Sequence, residues 1–305
     1  MLILHVVPVG LSLLDHLEQP VLAVDELPGS AITVSDALQW AGGQTRELDW
    51  DRLELAGLPR VHAQADRRLA AEWTSVAAIT AERRSGSVDG HAYLFLATDT
   101  DDGLRAAALI AARYQRTTTR YLHEPLTAGR LALEPGDVYV CRIPGLNLGI
   151  RQPTSTTWRS LGAAGRLAAD TAQQTARGEW EVVVHLSGGY KAMIPYLMEM
   201  AEGIHTRLRD VPPDASYRPT IRAVAIHHSS LEQSCTGTPI VIDVPVRAIE
   251  GDLLTDAKKL AAAARPDSDV VRTGVAEDLL GLLIEQQGEQ TRRLTSAGLI
   301  MVTML

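Results

Sequence analysis

Hydrophobic residues in this chain form short apolar runs that alternate with longer helical repeats. Runs of strand length lie at 2–7, 91–97, 137–143, 182–186, 221–227 and 239–244. Between them, apolar residues recur every three or four positions, which predicts helices at 65–81, 104–115, 154–177 and from position 191 onwards. Strands that alternate with helices in this way form parallel sheets. The pattern predicts an α/β fold with a largely parallel sheet and helices on both faces.

Two of these helices show which face is buried. The helix at 154–177 carries its apolar stripe at Trp158, Leu161, Gly165 and Ala168. The helix after position 191 has the same spacing at Met193, Leu197, Met200, Ala201, Ile204 and Leu208. The runs at 221–227 and 239–244 are close enough in sequence to be neighbouring strands.

The pattern changes after position 247, where strand-like runs stop. Helices are predicted at 253–264 and 275–287, with Thr295 as the cap of a last helix. We therefore divide the chain into a domain at 1–247 and a small helical appendage at 248–305, for which a winged-helix-like module is one option. The apolar ending at 299–302 is expected to be exposed, as a dimer contact or as a junction with a further domain.

The amino-acid composition limits the classes of function that this chain can have. The chain has 305 residues, of which 46% are hydrophobic and only 4% aromatic, so the core must consist mainly of Ala, Val, Leu and Ile. The net charge of -8 argues against a broad nucleic-acid-binding surface. The appendage, with six basic and eight acidic residues over 251–305, is a poor candidate for a DNA reader, so DNA binding is not expected.

The cysteines and the first residues bear on location. Cys141 and Cys235 lie far apart and without metal-ligand spacing, which favours a reducing compartment and a cytoplasmic protein without a metal or another cofactor. The start of the chain reads as a first strand because it lacks the basic region of a signal peptide. No apolar run is long enough to span a membrane.

The segment with the clearest chemistry follows the apolar run at 182–186. It reads Ser187-Gly188-Gly189-Tyr190-Lys191 and leads into a helix. A glycine turn between a strand and a helix presents free backbone N–H groups, and Lys191 adds a positive charge, so the segment suits an anion such as phosphate. The spacing matches neither a Walker loop nor a dinucleotide fingerprint. An ordinary strand-to-helix turn with a surface lysine also fits this segment alone.

Two further loops are expected at the same edge of the sheet. The first contains Gly10, Leu11 and Ser12, and the second reads Thr98-Asp99-Thr100. Ser12 also suits the cap of a following helix, and the threonines suit both a cap and a pocket wall. Asp99 would repel phosphate, so we expect its carboxylate to bond to backbone.

Taken together, these loops resemble the CRISPR-associated Rossmann-fold (CARF) family of type III CRISPR systems. The resemblance rests on the ordered segments 10–14, 97–103 and 187–193, on 143–147 with its Asn147, and on the closing strands. It covers about residues 1–247. His185 departs from the family, which often has Asn at this place.

The resemblance implies a Rossmann-like domain that forms a homodimer and binds a cyclic oligoadenylate between its two copies. Cyclic tetra-adenylate is favoured, and cyclic hexa-adenylate is the alternative. A symmetric ring matches a pocket on a twofold axis. The implied ligand-binding residues are Gly10, Leu11, Ser12, Thr98, Thr100, Asn147, Ser187, Gly188, Gly189, Tyr190 and Lys191.

Some members of the family also cleave the ring, which implies a slow, metal-independent ring nuclease. A ribose 2′-hydroxyl attacks the adjacent phosphate in line and leaves a 2′,3′-cyclic phosphate. Lys191 would stabilise the phosphoryl charge and Ser12 would position the ribose or phosphate, which makes these two the candidate catalytic residues. Two alternatives remain open: a non-catalytic sensor or regulator, and an α/β protein that binds an ordinary nucleotide at the same loops.

Overall fold

The structure is a computed structural model of the chain. It describes residues 1–11, 46–47, 71–83, 90–114, 119–123, 125–126, 128, 131, 133–147, 153–173, 179–189, 191–210, 218–226, 240–265, 268–271, 279–287 and 291–305.

An eight-stranded sheet forms the centre of the fold, with strand order β2-β4-β5-β3-β1-β6-β7-β8. Among the strands that the structure describes, the five inner pairings are parallel, and only the two edge strands, β2 and β8, run antiparallel to their neighbours. This confirms the predicted largely parallel, Rossmann-like sheet. The strands are β1 Leu2–Pro8, β2 Arg46–Glu47, β3 Gly90–Ala97, β4 Thr119–Leu122, β5 Val138–Arg142, β6 Trp180–His185, β7 Thr220–Ile226 and β8 Val241–Val244.

Helices cover both faces of this sheet. The described α-helices are α1 Ala71–Arg83, α2 Asp101–Tyr114, α3 Ser155–Ala172, α4 Ile194–Arg209, α5 Gly251–Ala263 and α6 Ser296–Met304. Helices α1 and α2 pack on one face, and α3, α4 and α6 pack on the other. None of these described helices is long and apolar enough to cross a membrane.

The larger part of the hydrophobic core lies between the sheet and helices α3, α4 and α6. The apolar stripes predicted on α3 and α4 are buried there, from Leu161 at 1% exposure to Met200 and Ile204 at 0%. Trp158 stacks on Tyr196 with ring centroids 3.9 Å apart. Burying a Leu, Ile or Met side chain stabilises the fold by about 1.5–3 kcal/mol. The apolar inner faces of these helices therefore contribute most of their packing energy.

The C-terminal part is not purely helical, which corrects the prediction. It contains α5, as expected, and a three-stranded antiparallel sheet of order β10-β11-β9, formed by β9 Val270–Val271, β10 Ile284–Gln286 and β11 Arg292–Leu294. The helix predicted over 275–287 is wrong at its end, because 284–286 is a strand. Ile284 pairs with Leu294 across the hairpin, and this contact outweighs the helical spacing in the local sequence.

The expectation of an exposed apolar ending is also wrong. Helix α6 packs against α3 and α4, and Leu299 and Ile300 are only 4% and 0% exposed. A Cβ added to Gly162 of α3 would lie 2.4 Å from the carbonyl oxygen of Ile300, so the two helix backbones are nearly in contact. The helix begins as predicted, because the N–H of Gly298 donates to Thr295 Oγ1 at 3.0 Å.

Candidate functional site

The candidate site lies where the strand order of the sheet reverses. From β1 the chain reaches β3 on one side, and it later returns to β6 on the other side. All three strands are parallel, so the loops that follow them leave the same edge of the sheet. Open α/β sheets bind ligands in the crevice at the carboxyl ends of strands at such a reversal. The topology therefore places the loops at 9–11, 98–100 and 186–189 at the expected edge.

The first and third of these loops touch each other. A Cβ added to Gly10 would lie 3.2 Å from the Cα of Gly189. Gly189 has a φ of +74°, in the left-handed region that favours glycine. Leu11, next to Gly10, is 43% exposed. Ser12 and Tyr190, two of the predicted site residues, lie outside the described residues.

A carboxylate from α1 occupies the junction of these two loops. The N–H groups of Gly10 and Gly189 both donate to Glu72 Oε1, at 2.6 and 3.0 Å. Glu72 is 2% exposed, and its second oxygen, Oε2, is buried with no hydrogen-bond partner among the described residues. The N–H groups of two predicted ligand-binding residues, Gly10 and Gly189, are thus bonded to a side chain of the protein.

This carboxylate also explains why glycine is required at Gly188. A Cβ there would lie 2.4 Å from the carbonyl oxygen of Pro8 and 2.6 Å from Cγ of Glu72. Real Cβ atoms do not approach other atoms so closely, and the Pro8 oxygen belongs to the backbone of a buried strand. The glycine turn is therefore shaped by internal packing, whether or not a ligand also approaches it.

The side chain of Ser187 is directed to the sheet. Its Oγ accepts a hydrogen bond from the N–H of Ile226 at 2.5 Å and so closes the end of β7. Lys191, in contrast, is exposed. It lies in a 3₁₀ turn, Lys191–Met193, that runs directly into α4. The positive charge of Lys191 thus adds to the positive end of the α4 dipole.

Thr100, in the second loop, caps α2, and Thr98 packs beside it. Thr100 Oγ1 accepts from the N–H of Gly103 at 3.0 Å and lies 3.0 Å from Thr98 Oγ1. A Cβ on Gly103 would lie only 1.7 Å from Thr98 Oγ1, so the loop is tightly closed over the helix start. The capping half of the prediction is confirmed, and a contact of these hydroxyls with a ligand stays a prediction.

Asp99 links this loop to the loop after β5. Its Oδ2 accepts from the N–H of Gly145 at 2.7 Å, which confirms that Asp99 bonds to backbone. Its Oδ1 pairs with Nε of Arg142 at 2.5 Å. The predicted residue Asn147 belongs to the same connection, since its N–H donates to the carbonyl of Gly145 at 2.9 Å. Arg142, which the sequence analysis missed, is thus a second cation at this edge.

A row of three histidines runs beneath α1, in which His185 and His5 are fully buried and His91 is partly exposed. His185 Nδ1 lies 2.5 Å from Ser75 Oγ, and its Nε2 lies 3.0 Å from Nδ1 of His5. His5 Nε2 lies 2.9 Å from Nδ1 of His91. Burial, and to a smaller extent the charge of Arg222, lowers the pKa of His185 to about 3. Burial also holds the pKa of His5 well below its usual value, with further lowering by the neighbouring His185 and His91. His185 and His5 are therefore neutral at pH 7.

These histidines are not arranged as a metal site. Their nitrogens bond to each other at hydrogen-bond distance, so they do not converge on a common point. Within the described residues, no group of three or more His, Cys, Asp or Glu side chains is placed to hold a metal ion.

Comparisons with known proteins leave the family open. The sequence matches no protein-family model, and no curated protein matches it at a significant level.

Proposed function

We propose that the protein is a receptor for a cyclic oligoadenylate, with cyclic tetra-adenylate as the favoured ring. The observation that carries the proposal is the meeting of the Gly10 and Gly189 loops at the strand-order reversal, with Lys191 exposed beside them. This is the position at which parallel α/β sheets bind nucleotides. The motif resemblance then selects the ring from among nucleotide ligands.

Lys191 is the main phosphate-binding group in this proposal. It lies at the start of α4, where the helix dipole and the unpaired N–H groups of the first turn also attract anions. A flexible ammonium group can follow the phosphoryl oxygens as charge develops on them. In the ring-cleaving form of the proposal, a ribose 2′-hydroxyl attacks the adjacent phosphate while Lys191 stabilises the charge and Ser12 orients the ribose.

A slow reaction is expected. A lysine ammonium and a serine hydroxyl are poor acceptors for the proton of the attacking hydroxyl, so most of the acceleration would come from orientation and charge stabilisation.

The decisive test is to incubate the purified protein with cyclic tetra-adenylate in the presence of a chelator and to follow the products by chromatography. We expect linear products with 2′,3′-cyclic phosphate ends. Replacing Lys191 with Ala should reduce the cleavage rate by about a hundredfold or more, because a charge-stabilising group is lost. The matched control is Lys259→Ala, which removes an exposed lysine on α5 that pairs with Asp256.

The second candidate, a receptor that does not cleave its ligand, is favoured by one observation. The N–H groups of Gly10 and Gly189 already donate to Glu72, so they are not free to stabilise charge on a phosphoryl oxygen in this conformation. Tight binding with an intact ring, weakened in Lys191→Ala and unchanged in Lys259→Ala, would select this candidate. If neither cyclic tetra-adenylate nor cyclic hexa-adenylate binds, both forms of the proposal are wrong.

A further inference from the structure

Glu72 changes what the loops around Gly10 and Gly189 can bind. Backbone N–H groups at the carboxyl edge of a parallel sheet are usually free to hold an anion. In this protein both amides donate to one oxygen of Glu72, at 2.6 and 3.0 Å. Hydrogen bonds to a carboxylate are among the stronger ones in proteins. A phosphate group would have to displace this carboxylate to reach the two amides.

Displacement of Glu72 is opposed by its surroundings. The side chain is 2% exposed, and the backbone of Gly188 packs on its Cγ so closely that a Cβ would not fit. Glu72 also lies in the first turn of α1, where the helix dipole favours a negative charge. No ion pair of Glu72 with Lys or Arg occurs within the described part of the chain, and its described polar partners are the N–H groups of Gly10 and Gly189.

The second oxygen of Glu72 points to a different kind of ligand group. Oε2 is buried and has no hydrogen-bond partner among the residues that the structure describes. Buried polar atoms almost always find a partner, and a carboxylate oxygen can only accept a hydrogen bond. The group that completes this site is therefore an O–H or N–H donor and not a phosphate, and in a nucleoside such donors are uncharged.

We propose that Glu72 is a specificity-determining residue that excludes phosphate from the Gly10 and Gly189 amides and accepts a hydrogen bond from an uncharged donor of the ligand. This inference rests on the proposed function and refines it. Ribose hydroxyls and the adenine amino group are the donors in an oligoadenylate. The ring is thus oriented with nucleoside donors toward Glu72 and with phosphates toward Lys191.

Phosphate exclusion can be tested without the ring. NMR of protein labelled with ¹⁵N-glycine would follow the amides of Gly10 and Gly189 while pyrophosphate is added. In the wild-type protein these two signals should stay in place. In Glu72→Ala the freed amides should shift, with a gain in pyrophosphate affinity of about tenfold or more, the size expected for a hydrogen bond to a charged group. Glu82→Gln, on the same helix, should behave as the wild type. Equal shifts in wild type and Glu72→Ala would overturn the exclusion.

Donor recognition needs a variant that keeps the fold if Glu72→Ala does not. In Glu72→Gln, one amide oxygen can still accept from both glycine N–H groups, while the NH₂ group cannot accept at the place of Oε2. The probe is adenosine, which carries the donors and no phosphate. We expect adenosine to bind the wild-type protein and to bind Glu72→Gln about tenfold more weakly.

The outcomes separate this inference from the proposed function. Equal binding of adenosine to wild type and Glu72→Gln, or no binding to the wild type, would contradict donor recognition and leave an ordered water as the partner of Oε2. If both probes behave as expected but no cyclic oligoadenylate binds, the proposed ligand is wrong and the role of Glu72 stands.

Discussion

At the scale of single residues, the row of hydrogen bonds from Ser75 through His185 and His5 to His91 has a defined direction. A neutral imidazole has one N–H donor and one acceptor nitrogen. Because His185 and His5 each use both nitrogens, the three hydrogen bonds must all run the same way along the row. The main cost of a proton on His5 or His185 is the burial of its charge, because both side chains are fully buried.

Acid should therefore destabilise the protein at a higher pH than carboxylate titration alone would. His5 and His185 stay neutral in the folded state, whereas in the unfolded chain they take up a proton near their ordinary pKa of 6.5. The unfolded state thus binds more protons below pH 6.5, and each histidine lowers the free energy of unfolding by about 1.4 kcal/mol per pH unit. For His185 this loss continues down to its folded-state pKa of about 3.

Urea unfolding at pH 7.5 and 5.5 would measure this effect. We expect the free energy of unfolding to be about 2–3 kcal/mol lower at pH 5.5 from these two groups. His185→Asn removes one of them and should reduce the dependence on pH by about half, whatever its effect on stability at pH 7.5. An unchanged dependence in this variant would show that His185 is not the titrating group.

At the scale of elements, α3 joins the sheet and the C-terminal helix into one core. Its inner face reaches the sheet through Trp158 and Leu161, and Gly162 lets α6 approach at backbone distance. Such a close crossing requires the absence of a side chain at the contact. The neighbouring Gly165 also faces α6, but a Cβ there would meet the flexible side chains of Met200 and Met304.

These two glycines form a matched pair for mutation. Gly162→Ala should destabilise the protein by about 1–3 kcal/mol, because the new Cβ meets the backbone of Ile300 and the helices must separate. Gly165→Ala should cost clearly less, because methionine side chains can move and alanine favours a helix by about 0.5–1 kcal/mol. Thermal unfolding of the two variants gives the comparison, and equal losses would contradict backbone contact between α3 and α6.

The sequence predicted correctly those elements whose buried residues are apolar and regularly spaced along the chain. Strands β1, β3 and β6 are continuous apolar runs, and the apolar residues of α3 and α4 recur at helical spacing. The buried residues of these elements can therefore be predicted from the sequence. Strand β4 was not predicted, because its four residues include an arginine and show no clear alternation of apolar and polar positions.

Only part of the candidate site could be predicted from the sequence, for a related reason. Its loops could be found, since glycines and a lysine stand out after a strand. The role of Glu72 could not be found, because its partners are backbone amides 62 and 117 residues away and every residue type has such an amide. The C-terminal strands β10 and β11 were missed because their pairing with each other decides their conformation.

At the scale of the whole molecule, the proposed function implies a symmetric assembly. Leu11 and Lys191 are exposed at the same edge of the sheet, so two copies related by a twofold axis could surround one ring. We expect light scattering to give twice the mass of the chain in the presence of cyclic tetra-adenylate. A monomer that binds one full ring would contradict the symmetric assembly and leave the site on the single chain intact.

The burial of α6 has a consequence for how the protein is made. This helix fills the space between α3 and α4, yet its residues 296–304 follow every strand of the main sheet in the sequence. During translation, the apolar sides of α3 and α4 emerge from the ribosome long before the segment that covers them. We therefore expect the nascent chain to expose this hydrophobic groove until about the three-hundredth residue is synthesised, which favours chaperone binding during that interval.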